Sequence, residues 1–414
     1  MRAFLAFVLL TLLLTGCAQA EVQPPPAPSP TSAVRPTDPV PGPPPPDEPV
    51  ATAQLLPAPL YVLESGQIAR IERDMVTRAV ITAERVELPG VEAIAEFTVA
   101  SDGTLAYIVG DVTADRLVLT DGRGEDLRVI YEEAQHELSD LLFTPDSSAI
   151  IFRLLNNRQP ADPNVPSGIY RLPREGGALE LLRPDDPVDD PVNPARTVSG
   201  YRPVAFAPDR TALLVEVFAL FYEDCTLGVM ALENGEVTRI TVPEGVQVLC
   251  DEAVWTTASD AVLLLAVRVD GDQGQDGPTL WRAQRSDGVA VPLLTQPDIF
   301  ARAPLGLPGQ AVQFFLAQLQ RDLAGLITGA TFAPVRFDSP EASPTPLGPS
   351  FARRLDGVLW APDGSGALVA LGSFVEAEGE DNRPVLRWLP REGSPVDLPT
   401  ARMFINGLAW APEE

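Results

Sequence analysis

The side chains of this protein that can do chemistry are mostly carboxylates, and they are gathered in a few stretches. Asp185, Asp186, Asp189 and Asp190 fall in RPDDPVDDPVNPARTVSGY, residues 183–201. Asp270, Asp272 and Asp276 fall in DGDQGQDG, residues 270–277, and Glu376, Glu378, Glu380 and Asp381 in VEAEGEDNRP, residues 375–384. Carboxylates gathered this way can receive a basic partner or offer oxygen ligands to a hard divalent cation. The DGDQGQDG loop is not EF-hand spacing and has no glutamate at its twelfth position. No cofactor is therefore expected, with Ca²⁺ the one ion such a loop can suit. Charge runs of this kind are also, more simply, solvated loops.

Other reactive residue types are scarce. A nucleophilic triad needs a base, usually histidine. The single histidine, His136 in EEAQHEL, reads as a loop residue between repeats. There is no G-x-S-x-G elbow and no His/Cys cluster that could hold zinc. Paired carboxylates can still perform glycosidase or lyase chemistry, but that depends on their separation in space. Among 57 acidic residues no pair stands out. The expectation is a protein that is not an enzyme.

The first of three cysteines lies in a different setting. Met1-Arg2 is a short positive segment, residues 3–13 (AFLAFVLLTLL) are apolar, and LTGC follows at 14–17. An apolar run this short reads as a signal peptide rather than a span, which needs about 20 residues. LTGC resembles the lipobox of bacterial lipoproteins, a likeness confined to the first seventeen residues. That resemblance implies cleavage before Cys17 and acylation of Cys17, a durable anchor because each buried methylene contributes ~0.8 kcal/mol. The alternative is an ordinary cleaved signal with an incidental cysteine. Ala18 follows, not Asp, which in a diderm bacterium implies the outer membrane facing the periplasm. In a monoderm the protein would sit on the outer leaflet of the cell membrane.

Residues 17–53 then form a linker. Thirteen of the thirty residues 21–50 are proline. Proline fixes φ and removes amide donors, so the stretch reads as extended polyproline II, a semi-rigid spacer, or as plain disorder that still tethers. The expected organisation is signal peptide 1–16, lipidated linker 17–53 and folded domain 54–414. The net charge is −27, and all 30 basic residues are arginine. Such a balance argues against nucleic acid and against electrostatic attraction to anionic lipid.

The domain contains a repeat of about fifty residues. EFTVASDGTLAYIVG (96–110), LLFTPDSSAIIFRLL (141–155), VAFAPDRTALLVEVF (204–218), AVWTTASDAVLLLAV (253–267), VLWAPDGSGALVALG (358–372) and LAWAPEE (408–414) share one grammar. An apolar run ending in an aromatic leads into a Pro-Asp turn, and a second apolar run follows. The aromatic anchors are Phe97, Phe143, Phe206, Trp255, Trp360 and Trp410, spaced by 46, 63, 49, 105 and 50. The spacing of 105 implies a decayed copy near residue 307, in APLGLPGQAVQFFLAQL (303–319). Proline presets the turn and the aspartate accepts amides two residues on, so each copy reads as a hairpin. Two weaker strands follow most hairpins. Four short strands per repeat and seven repeats predict an all-β, seven-bladed β-propeller, with six or eight blades as alternatives.

WAPDG, FAPDR and FTPDS resemble the core of TolB-type, or PD40, propeller repeats, over about residues 55–414. The resemblance implies the propeller. It does not carry TolB's partner binding, because the α/β domain that precedes that propeller is replaced by the proline spacer. It does not carry peptidase activity either, since no hydrolase domain follows. Strands of a blade alternate in direction, so Pro-Asp turns share one face and the acidic insertions share the other. Cys225 and Cys250 fall in adjacent blades on that second face, and a disulfide is expected of an exported chain. The last copy stops after one strand. Its missing partners are expected in PLYVLESG, QIARIERD and TRAVITAE (59–66, 67–74, 77–84), which would close the ring. The functional expectation is a membrane-anchored, monomeric platform for an envelope protein or glycan. The alternative is an envelope glycan-active hydrolase or lyase using the acidic residues.

Overall fold

The computed structural model describes residues 55–64, 66–82, 93–110, 114–158, 164–187, 198–219, 225–269, 277–294, 299–321, 327–339, 343–372, 385–399 and 405–412, all within one compact unit, Ala53–Glu414. They form seven antiparallel sheets, the blades of a β-propeller. Blades are numbered here in ring order. Blade 1 is Ile405–Trp410, Leu60–Glu64, Gln67–Ile71 and Arg78–Val80. Blades 2 and 3 begin with Ala93–Val99 and His136–Phe143, blades 4 and 5 with Val198–Phe206 and Val246–Trp255. Blade 6, the decayed copy, begins with Ile299–Gly306 and blade 7 with Arg354–Trp360. Blade 4 carries a fifth, two-residue strand, Asp186–Pro187, on the edge of its first strand opposite the second.

Position within the blade explains the hydrophobic pattern. The second strands, such as Ala261–Arg268 and Gly366–Gly372, are buried nearly throughout because a neighbouring blade covers each face. They therefore read as continuous apolar runs rather than alternating ones. The outermost strands, such as Arg78–Val80 and Arg128–Glu132, contain no fully buried residue.

The ring closes through pairing of the two ends of the domain. Leu60 pairs with Trp410, Tyr61 with Ala409, Val62 with Leu408 and Leu63 with Gly407. The Trp410 ring meets Trp388 of blade 7 edge-on at 5.9 Å, and its indole N–H donates to the Trp360 carbonyl at 2.8 Å. Trp360 donates in turn to Ala303 of blade 6 at 2.9 Å, and Trp255 to Ala205 of blade 4 at 3.1 Å. Three of the aromatic anchors thus staple innermost strands of successive blades.

The Pro-Asp turns are built alike. Asp102, Asp146, Asp209 and Asp363 each accept the amide two residues on, from Thr104, Ser148, Thr211 and Ser365. The turn of blade 2 aligns Ala100 with Ala207 of blade 4 and Ala361 of blade 7. Its anchor position is therefore Val99, and Phe97 lies two residues earlier, where it packs near Gly407. The turns also link blades: Arg174 reaches Asp102 and Thr104, and Arg285 reaches Asp209 and Thr211.

Two outcomes follow from closure and from the turns. Trp410→Ala should destabilise the whole domain by about 3 kcal/mol, as one cooperative chemical-denaturation transition with no separate early phase. The carboxyl of Asp146 is held down at about 2 by the Thr144 hydroxyl and then by the Ser148 amide and hydroxyl. Its folded value lies below the ordinary 3.8, so its contribution is complete above 3.8 and is lost as pH falls toward about 2. Asp146→Asn keeps an acceptor without the titration, so its unfolding midpoint should fall less steeply than wild type across that window.

Candidate functional site

Every blade has a register shift between its innermost and second strands, at Leu63/Glu64, Ile94/Glu96, Ser139/Leu142, Pro203/Ala205, Leu249/Val254, Arg302/Leu305 and Leu355/Gly357. Such bulges leave ladder amides unpaired and re-aim side chains. At two of them the preceding blade supplies the missing acceptor. Glu96 of blade 2 accepts the amides of Asp140 and Leu141 of blade 3, both at 2.7 Å. Glu252 of blade 5 accepts the Ala303 amide and the Arg302 guanidinium of blade 6. Asp140 and Ala303 have φ of 60° and 48°, conformations that L-residues keep only when their surroundings enforce them. Burial, and then the charge of Asp140, push the Glu96 carboxyl up, against the two amides that favour its ionised form. Arg202 of blade 4 stands near both Asp140 and Glu216, at 3.8 and 3.4 Å.

A cavity of about 460 Å³ opens between the innermost strands of blades 5, 6 and 7. Leu305, Val358, Leu359 and Trp360 give it an apolar lining, and Asp251, Glu252, Arg302 and Asp356 are its charged groups. Its size is within the usual range for ligand pockets. Glu252 is committed to Arg302 and Ala303, and Asp356 pairs with Arg354 at 2.6 Å.

The acidic insertions are only partly described. Asp189, Asp190, Asp270, Asp272, Asp276, Glu376, Glu378, Glu380 and Asp381 lie outside the described residues, as does Cys17. Asp185 and Asp186 are described, and they are not solvated loop charges. The Asp185 side chain is 5% exposed and forms a two-pronged ion pair with Arg153, also 5% exposed, at 2.8 Å for each contact. Arg153 donates further to the Tyr201 carbonyl at 2.9 Å and lies over the Phe218 ring. Gly200 lets that ring lie across the innermost strand: a Cβ there would sit 2.5 Å from it. Asp186 accepts from Arg183 and from the Tyr201 hydroxyl, and Arg183 stacks on Tyr201. Pairing of Asp186–Pro187 with Val198–Ser199 turns these residues into the stem beneath insertion 188–197.

Cys225 and Cys250 form a disulfide with a Cα–Cα distance of 6.4 Å. Cys225 opens the third strand of blade 4, and Cys250 lies inside the innermost strand of blade 5 rather than ahead of it. Glu216 beside these sulfurs makes the one grouping of candidate metal ligands among the described residues, and the disulfide occupies both sulfurs. His136 is not in a loop. It begins the innermost strand of blade 3, is 3% exposed, and its Nδ1 lies 2.6 Å from the Tyr131 hydroxyl. Burial, and then the Glu133 charge, push Tyr131 up to about 12, so the pair is a structural contact. Sequence reasoning missed Glu96, Glu252 and Asp251, because their roles depend on bulges that leave no fixed offset from the aromatic anchors.

No protein-family model matches the sequence, and neither does any curated protein. Solved structures of low identity do resemble it. Oligogalacturonate lyase from Vibrio parahaemolyticus is 11% identical with a TM-score of 0.52, covering 80% of this chain and 91% of the lyase. Prolyl oligopeptidase B from Galerina marginata is 11% identical with a TM-score of 0.55, covering 85% of this chain. The chain spans about half the length of that peptidase, 51%. TolB from Acinetobacter baumannii is 15% identical with a TM-score of 0.46, covering 86% and 67% of the two chains.

Removing Asp185 alone strands a buried guanidinium. Asp185→Ala should cost about 3–5 kcal/mol, whereas the joint Arg153→Met, Asp185→Leu variant should lie much closer to wild type. Urea denaturation of the two variants checks this. At this level of identity the comparisons speak to fold alone: the chain is a seven-bladed β-propeller, similar in fold to lyase and peptidase propellers.

Proposed function

We propose that this protein is an extracytoplasmic lipoprotein whose propeller is a non-catalytic binding platform for an envelope protein or glycan. The observation that carries the reading is the cavity between blades 5, 6 and 7, roomy and apolar, with its inner carboxylate held by the fold. Glu252 has both oxygens engaged, one by a backbone amide that cannot give up its place. Glu252 is thereby withheld from general acid or base work, which requires a group able to reach substrate and exchange a proton. The disulfide supports an oxidising compartment, which agrees with the LTGC signal and acylation at Cys17.

The geometry of attachment supports presentation as well. The chain enters the propeller at Leu55–Pro59, beside Arg73, Asp74 and the Asp363 turn of blade 7. Because strands alternate in direction, the strand ends that flank the insertions and the Cys225–Cys250 bridge belong to the opposite face. A tether leaving from the turn face keeps that opposite face clear for a partner, where recognition loops concentrate on rigid scaffolds.

The test uses the full-length precursor expressed in a bacterium. Wild type should sediment with membranes and release no product from isolated envelope glycans, and Cys17→Ala should move to the soluble fraction. Glycan turnover would overturn the platform reading in favour of a hydrolase or lyase. Membrane retention of Cys17→Ala would overturn the anchor.

A further inference from the structure

We infer that the cavity between blades 5, 6 and 7 is a binding site for an alkylammonium group, a cationic head on an aliphatic stem. This rests on reading that cavity as the recognition centre of the platform. The inference starts from its shape and lining. A space of about 460 Å³ is apolar along Leu305, Val358 and Leu359. Apolar lining of this kind receives a hydrocarbon stem, and the few polar groups in a pocket fix which head it accepts.

The charges decide the head. Arg302 is the lining's one cation and is held by Glu252. That pair is internally neutral and can recruit neither an anion nor a cation. What remains at the cavity is Asp251 from blade 5 and Asp356 from blade 7, on the blades either side of Arg302, and both are exposed. Asp356 is shared with Arg354 through two contacts, so three carboxylates face two arginines here and Asp251 is the one left without an ion-pair partner among the described residues. The balance excludes a carboxylate or uronate head and favours a cation. An ammonium also suits the site better than a metal ion, because its head can meet a carboxylate while its stem lies on the apolar wall. The protein as a whole carries a net charge of −27, which draws cations toward such a cleft.

The same chemistry has two sources, a lysine side chain of a partner protein and a free polyamine, and the experiment separates them. Isothermal titration of the intact protein uses three probes: spermidine, a glycine–lysine repeat peptide, and the same peptide with its lysines acetylated. One or both ammonium probes should bind and the acetylated peptide should not. Tighter binding of the peptide assigns a protein partner, and tighter binding of spermidine a polyamine. Asp251→Asn with Asp356→Asn should weaken binding roughly tenfold. Glu233→Gln with Glu236→Gln, the same change of charge on exposed residues of blade 4, should leave it unchanged. Equal binding of the acetylated peptide, equal losses in the cavity and blade 4 variants, or no binding of either ammonium probe would overturn the inference. A Cys17→Ala protein that is soluble yet binds normally keeps it, and a membrane-retained one that binds normally removes only the anchor.

Discussion

Everything in this molecule depends on one pairing, that of Ile405–Trp410 with Leu60–Glu64. A propeller is a chain of sheets in which each blade is covered by its neighbours, so an open ring would leave two blade faces and two strand edges in water. Five main-chain pairs across the ends of the domain remove both liabilities. They also explain why the last repeat contains a single strand: blade 1 already has the other three, more than three hundred residues earlier in the chain. All five residues of Leu60–Glu64 are buried, which is what a second strand in any other blade looks like.

Closure makes the inner ring a place where backbone groups must be satisfied at close quarters. Each innermost strand is bulged, so amides are displaced from the ladder, and a buried amide without a partner costs about 1–3 kcal/mol. Different blades answer differently. Glu96 and Glu252 reach forward to the next blade's bulge, while the indoles of Trp255, Trp360 and Trp410 reach back to a carbonyl of the blade before. Both devices turn a local irregularity into a contact between blades. The cavity lies where three such strands meet, and its shape follows from bulges at Arg302/Leu305 and Leu355/Gly357.

The repeat was legible in the sequence because turn chemistry has a fixed spacing. Asp146, Asp209 and Asp363 do the same task two residues before the amide they accept, and proline precedes each of them. The copy of blade 6 lacks the aspartate but keeps the hydrophobic run, and its strands fall at Ile299–Gly306 and Val312–Arg321. Phe97 misled because an aromatic two residues from the true anchor position is as good a match to the pattern as Val99 is. His136 and Asp185 misled for a different reason. Local composition marks polar residues near insertions as loop, yet both are enclosed by partners distant in sequence or set by the packing of a neighbouring blade. Asp185 is held in its buried place by Arg153, 32 residues earlier in the second strand of blade 3.

The absence of lysine becomes a physical matter at this point. The planar guanidinium can grip a carboxylate with two parallel bonds and lie flat on an aromatic ring, which an ammonium cannot do. Arg153 does both, to Asp185 and Phe218, and Arg202 lies over the same Phe218 ring at 4.3 Å. Arg174 and Arg285 each span a carboxylate and a hydroxyl of the previous blade's turn. The arginines are thus largely fixed within the fold, between blades and beneath insertions, and they neutralise carboxylates the architecture needs. With 57 acidic residues against 30 basic ones, the carboxylates in excess of such pairs set the field that a partner meets. On the platform reading proposed above, an electronegative surface on a rigid ring would select a partner by charge before contact, and the inner cavity would then select by shape.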